Sequence, residues 1–101
     1  MDQPDPTIHQ PVRLKIMAAL KPLPDPEMLE FVRLKAIVGA TEGNLGAHIT
    51  TLEEAGYVSV AKSYQNNRPL TTCSLTTAGR KAFSDYVDLL EQIVQQTRKL
   101  K

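Results

Sequence analysis

Few side chains in this sequence are placed to carry covalent or metal chemistry. The single cysteine, Cys73, stands in an alternating stretch on the same side as Leu75. A small buried apolar residue is expected there, without the base and orienting group that a thiol nucleophile needs. His9 and His48 are far apart and fit neither an HExxH nor a cysteine-histidine spacing, so no metal and no cofactor is expected. No glycine-rich phosphate loop follows a strand, and acid–base pairs are not recognisable from spacing. An enzyme is therefore not expected.

Hydrogen-bonding chemistry is better represented. In TEGNLGAHITTLEEAGYVS, residues 41–59, Leu45, Ile49 and Leu52 share one helical face, while Gly43, Ala47, Thr50 and Glu54 share the opposite one. Asn44, Gly46 and Thr51 flank that outer face. Each glycine costs a helix up to ~1 kcal/mol against alanine, so two in one helix ask for a reason. A surface of Gly, Ala and Thr lets the backbone approach another molecule closely. It leaves Asn44, Thr50 and Thr51 as short polar groups for base edges or phosphates. The helix N-terminus, capped by Thr41, adds backbone N–H groups suited to a phosphate. His48, at the edge of the apolar stripe, has the position of a packed structural histidine that is also within reach of a phosphate.

Phosphate contacts need cations, and the 41–56 stretch has no Lys or Arg but three acids, Glu42, Glu53 and Glu54. The cations must come from its surroundings: Lys62 and Arg68, with Asn66 and Asn67 between them, then Arg33 and Lys35, and Arg13. Arg98, Lys99 and Lys101 lie at the chain end, where they complement a helix dipole.

Several elements must position these groups. Residues 1–8, with prolines at 4 and 6, read as a flexible tail. Pro11 suits a first helical turn, and PVRLKIMAALK at 11–21 is a helix that is apolar on nearly all sides. Such a helix needs two covers, one of them expected from a second subunit. PLPDP at 22–26 ends it, and 27–29 leaves room for a short extended segment. Phe31, Leu34, Ile37 and Val38 mark a brief second helix ending at Gly39, two residues before the Thr41 cap of the third. This pair reads as a helix-turn-helix. Alternation from Tyr57 to Tyr64 and again through Thr71, Cys73 and Leu75 predicts a hairpin with a polar tip at Asn66-Asn67-Arg68-Pro69.

A last helix follows a Thr76 or Thr77 cap, with Phe83, Tyr86, Val87, Leu90, Ile93, Val94 and Leu100 in a broad stripe. From Ala78 to Lys99 it would run about 33 Å at 1.5 Å per residue. A domain of ~100 residues has a radius of gyration near 13 Å, so the distal half has little of its own chain to pack on. A homodimer is expected, formed by Leu14 and Met17 of the first helix and Tyr86, Leu89, Leu90, Ile93 and Val94 of the last.

The chain has 101 residues, enough for one modest core, and 12 Lys and Arg against 11 Asp and Glu give a net charge of +1. No global charge drives it toward nucleic acid or membrane, so local placement decides. The opening residues are polar and acidic rather than basic and then apolar, and no apolar run approaches the roughly 18–20 residues that span a bilayer. One cysteine excludes an internal disulfide. A soluble cytoplasmic protein with no membrane partner is expected.

Three stretches together, HQPVRLKIMAAL (9–20), TEGNLGAHITTLEEAGYVSV (41–60) and RPLTTCSLTTAGR (68–80), resemble the small winged-helix DNA-binding domains related to the MarR and ArsR regulators. The likeness covers roughly residues 8–90, and GNL, LEEAGYV and LTTAGR are diagnostic in combination. It implies an α+β fold, mainly α with a small β-hairpin wing: a winged helix-turn-helix over 9–80 and a long C-terminal dimerisation helix over 77–99. It also implies a dimeric, sequence-specific transcriptional regulator of double-stranded DNA, acting as a repressor where its site overlaps a promoter. The third helix would enter the major groove and the wing would touch the adjacent backbone or minor groove. A small-molecule effector, if one exists, would enter a cleft between the first helix, the last helix and the dimer partner. Two positions depart from the family pattern: residue 46, commonly Ser, is Gly, and the residue after the wing proline, often basic, is Leu70. With three acids on the third helix, the competing expectation is a winged-helix protein–protein interaction module that has lost DNA binding.

Overall fold

The computed structural model describes residues 3–99. The expected roles of Leu100 and Lys101 lie outside the described residues.

Helix α1 (Pro11–Leu20) starts at its proline, and the Gln10 side chain closes its first turn by accepting from the Arg13 N–H at 2.8 Å. Strand β1 (Leu29–Glu30) runs directly into α2 (Phe31–Val38). Gly39 ends α2 at φ +75°, a left-handed conformation in which a side chain would be strained. Helix α3 (Glu42–Glu54) is capped by Thr41, whose Oγ1 accepts from the Asn44 N–H at 3.2 Å.

Strands β2 (Val58–Gln65) and β3 (Arg68–Leu75) are joined by Asn66 and Asn67, with φ of 52° and 64°. Two successive positive φ values make the two-residue hairpin turn whose twist suits antiparallel strands, and asparagine tolerates them better than other side-chained residues. The sheet order is β1-β3-β2, all antiparallel, with Leu29 opposite Cys73 and Val58 opposite Leu75. The β1 pairing ties the start of α2 to the root of the hairpin. Helix α4 (Thr77–Lys99) follows, with Thr76 Oγ1 accepting from the Gly79 N–H at 2.9 Å.

One core joins these elements: Ile16, Met17 and Leu20 of α1, Leu34 and Val38 of α2, Leu45, Ile49 and Leu52 of α3, Val58, Cys73 and Leu75 of the sheet, and Phe83 and Tyr86 of α4. Helix α1 packs against α2, α3 and β3. The second cover expected from another subunit is therefore largely supplied by the chain itself. Met17 is 0% exposed and Tyr86 3%, so neither presents a surface to a partner, and both leave the expected dimer contact set. The helical pattern of α1 shows that two faces are apolar, but not whose atoms cover them.

The N-terminal segment also differs from the flexible tail expected. Ile8 is fully buried in the core, and the Asp5 carbonyl accepts from the Ile8 and His9 N–H groups at 3.1 and 2.7 Å. Tyr57 donates its hydroxyl to Asp5 Oδ2 at 2.6 Å. That bond, then burial and the Asp5 charge, holds the Tyr57 hydroxyl above its ordinary pKa. The start of α4 is anchored where Gly79 lies against the Tyr57 carbonyl, which a Cβ at that position would strike.

Every fully buried residue of α4 lies in its first ten positions; Val87 and Leu90 beyond them still pack against the core, and Val94 is exposed. The radius of gyration is 15.2 Å and the longest dimension 59 Å against 26 and 21 Å. Among the described residues, no helix is long and apolar enough to cross a membrane.

Candidate nucleic-acid interface

Leu45, Ile49 and Leu52 fasten α3 to the core, which leaves Gly43, Asn44, Ala47, Thr50, Thr51 and Glu54 exposed and Gly46 and His48 half-buried. A Cβ built at Gly43 or Gly46 meets no atom within 4 Å. Packing inside the chain therefore does not demand glycine at either place, although each weakens the helix by up to ~1 kcal/mol against alanine. Gly79 is the contrast, because its neighbour fills the space.

The polar groups of this face have defined states. Thr50 donates its hydroxyl to the Gly46 carbonyl at 3.0 Å and Thr51 to the Ala47 carbonyl at 3.2 Å. Their hydrogens are used within the helix, so they offer outward lone pairs and methyl groups. Such a surface suits the amino groups of adenine or cytosine and the thymine methyl in a major groove. Thr41 is committed as the cap, and the N–H groups of Glu42 and Gly43 in the first turn have no intrahelical acceptor, a geometry suited to a phosphate. His48 Nδ1 lies 3.0 Å from Arg13 Nη1, and Arg13 Nε donates to the Thr7 carbonyl at 2.5 Å. Arg13 is thus a structural tie across three segments rather than a free cation.

The remaining cations surround α3 unevenly. Lys62 is exposed on β2 and lines an open groove of about 420 Å³ with Gly46, Thr50 and Glu53 of α3 and Thr71 of β3. Arg68 pairs with Gln65 beside the Asn66-Asn67 turn, and strand alternation puts it on the sheet face opposite Lys62. Arg33 is exposed and Lys35 half-buried on α2. Among the described residues the one ion pair is Lys81–Asp85 at 2.7 Å, so none of these four cations is neutralised there. Glu42 and Glu53 also line the groove, which keeps its potential modest.

Tyr64 is the residue the sequence pattern did not single out. It is 77% exposed on the free part of the hairpin, and its signal was that it continues the Val58-Val60-Lys62 side of the alternation past the end of the body.

Cys73 is 0% exposed, and burial first, then the Glu53 charge, pushes its thiol up to about 11, which keeps it protonated at neutral pH. No cluster of potential metal ligands occurs among the described residues.

Along α4, Leu89, Leu90 and Ile93 are half-buried and Val94 is 47% exposed. Val87, Leu90 and Val94 line an open groove of about 270 Å³ on the projecting helix. Leu14 of α1 is half-buried in a separate, mostly apolar cleft of about 300 Å³ with His9, Pro11 and Tyr86, where His9 Nδ1 and the Tyr86 hydroxyl lie 2.8 Å apart.

Residues 12–94 match a family model described as a winged helix DNA-binding domain. The chain is 42% identical over 76 residues to an uncharacterized protein of Methanocaldococcus jannaschii, covering 75% of this chain and 79% of that one. It is similar to the structure of a transcriptional regulator homologue from Pyrococcus horikoshii OT3, with 28% identity and a TM-score of 0.81 over 90% of this chain and 87% of that one. Apo MarR from E. coli shares the fold at 20% identity and a TM-score of 0.65, covering 82% of this chain and 58% of MarR. These matches bear out the winged-helix fold and its MarR likeness, and leave the ArsR part of the resemblance without support of its own.

Proposed function

The chain belongs to the winged helix DNA-binding domain family, and from that premise we propose that it is a transcriptional regulator that binds duplex DNA as a homodimer. The observation that carries this reading is the open space above Gly43 and Gly46. A thinned helical ridge that nothing in its own chain explains suits close approach to an outside surface. On this reading α3 enters the major groove, with Asn44, Ala47, Thr50 and Thr51 toward base edges and Thr41, Gly43, Gly46 and His48 toward phosphates. Lys62, Asn66, Asn67 and Arg68 of the wing, with Arg33 and Lys35 of α2, hold the flanking backbone.

The partly exposed stripe of Leu89, Leu90, Ile93 and Val94 pairs two copies, with Leu14 at its edge. Their recognition helices then stand about one helical turn, roughly 34 Å, apart, and the operator is pseudo-palindromic. Repression follows where the operator overlaps a promoter. An effector would act at the cleft between α1 and α4, beside the partner.

A titration against random-sequence and genomic duplexes at several salt concentrations tests the reading. Neutralising Z phosphates should give log K falling with log salt at a slope near −0.9Z. A flat response with no preferred sequence would overturn it in favour of a protein-binding module, the role that Glu42, Glu53 and Glu54 on α3 would fit.

A further inference from the structure

The wing carries an aromatic ring that the fold does not use. The chain has three tyrosines. Tyr57 donates to Asp5 and is half-buried, and the Tyr86 hydroxyl lies 2.8 Å from His9 Nδ1 with the ring buried. Tyr64 is 77% exposed, and its hydroxyl has no partner among the described residues. It stands directly opposite Pro69, two residues before the Asn66-Asn67 tip of a hairpin whose outer half, among the described residues, has no other strand beside it.

Strand parity fixes where this ring is presented. Val60 and Lys62 line the groove shared with Gly46 and Thr50 of α3, and Tyr64 is the next residue on that face, about 6–7 Å further out. Antiparallel partners share a face, so Thr71 and Pro69 accompany Lys62 and Tyr64. The hairpin itself carries no Asp or Glu, and its cations are Lys62 on the Tyr64 face and Arg68 on the opposite one; Glu42 and Glu53 of α3 line the groove beside Lys62.

We infer that Tyr64 is a non-ionic DNA contact of the wing, its ring lying against the deoxyribose and base edges of the minor groove next to the major groove that α3 occupies. This rests on the DNA-binding reading above and names an energetic contributor within it. A minor groove about 6 Å wide excludes a two-stranded ribbon but admits one ring edge-on, with Lys62 left to the phosphates on the same face. A cross-strand Tyr–Pro pair is worth up to ~1 kcal/mol to a hairpin, which explains a tyrosine in the strand but not a ring left in water.

The test uses a duplex enriched from a random-sequence pool by the full wild-type chain. Tyr64→Thr keeps a residue that favours strands, and Tyr64→Phe keeps the ring. Tyr64→Phe should bind like wild type and Tyr64→Thr about tenfold more weakly, the loss expected for an aromatic contact. The salt slope should not change in either, because no phosphate contact is lost. The chain has no tryptophan, so Tyr64→Trp reports from this site alone, and its emission should change when the duplex is added. Wild-type affinity in Tyr64→Thr, or unchanged emission from Tyr64→Trp in the bound state, would overturn this inference and leave the DNA-binding reading intact. Failure of the wild-type chain to enrich any duplex would overturn both.

Discussion

The Arg13 guanidinium on α1 lies 3.0 Å from Nδ1 of His48 on α3, while its Nε holds the Thr7 carbonyl. Arginine has no acceptor, so this contact requires Nδ1 to accept and places the ring N–H at Nε2. A residue near the start of the first helix thereby sets the tautomer and orientation of a histidine on the flank of α3. Arg13→Met, which keeps the length and removes the donors, should destabilise the fold by about 1–3 kcal/mol in urea unfolding, as for hydrogen bonds from a charged group. In a double-mutant cycle with His48→Ala the losses should be less than additive by at least ~0.5 kcal/mol, because the two changes remove one shared bond.

Cys73 gives the fold a pH limit on the alkaline side. Its thiol stays protonated up to about 11 in the folded chain, against 9.0 for an unperturbed thiol. The folded state thus binds the proton more tightly, and stability present below the unfolded value is lost as pH rises from about 9 to about 11. The thiol's share is about 2–3 kcal/mol. Cys73→Ala should be less stable at pH 7 but show a shallower fall in urea midpoint across that interval. Tyr57 and Tyr86, also raised, add slope of the same sign.

Gly79 and Tyr57 are in backbone contact, so Gly79→Ala must displace the start of α4 from the Tyr57 carbonyl. Overpacking against a backbone that cannot rotate away should cost about 1–3 kcal/mol, read as a lower thermal midpoint.

The exposed part of α4 should hold two copies together. Val94→Asp places a charge where the side chain is 47% exposed in the single chain, so the protomer should fold as before. Sedimentation equilibrium should show a dimer for wild type and a monomer for the variant. A variant that remains dimeric would place the interface elsewhere.

Much of this architecture is written locally. Pro11, the Gly39 stop, the Thr41 cap and the Asn66-Asn67 tip each impose their geometry within a few residues, and the element order follows from them. The exposed identity of Gly43, Ala47 and Thr50 was legible too, because a helix with one buried stripe must present the opposite one. What the pattern does not encode is which distant segment covers an apolar face. Met17 and Tyr86 read as partner-facing because their helices carry wide stripes, and only the packing of α1 among α2, α3 and β3 shows them sealed. Ile8 in a proline-rich tail and the tie between Arg13 and His48, 35 residues apart, leave no period in the sequence for the same reason. The face of Arg68 depended on the hairpin register, which the turn residues fixed only once their positive φ values placed it beside Gln65.

Gly43→Leu is the most direct test of the claim that α3 is thinned to admit a nucleic acid. The space above Gly43 is empty, so the free protein should accept the side chain and gain up to ~1 kcal/mol of stability from better helix propensity. Its affinity for the duplex enriched by wild type should nevertheless fall by at least ~10-fold, because the leucine keeps the backbone away from the groove. The same gain in stability with unchanged affinity and salt slope would contradict the claim.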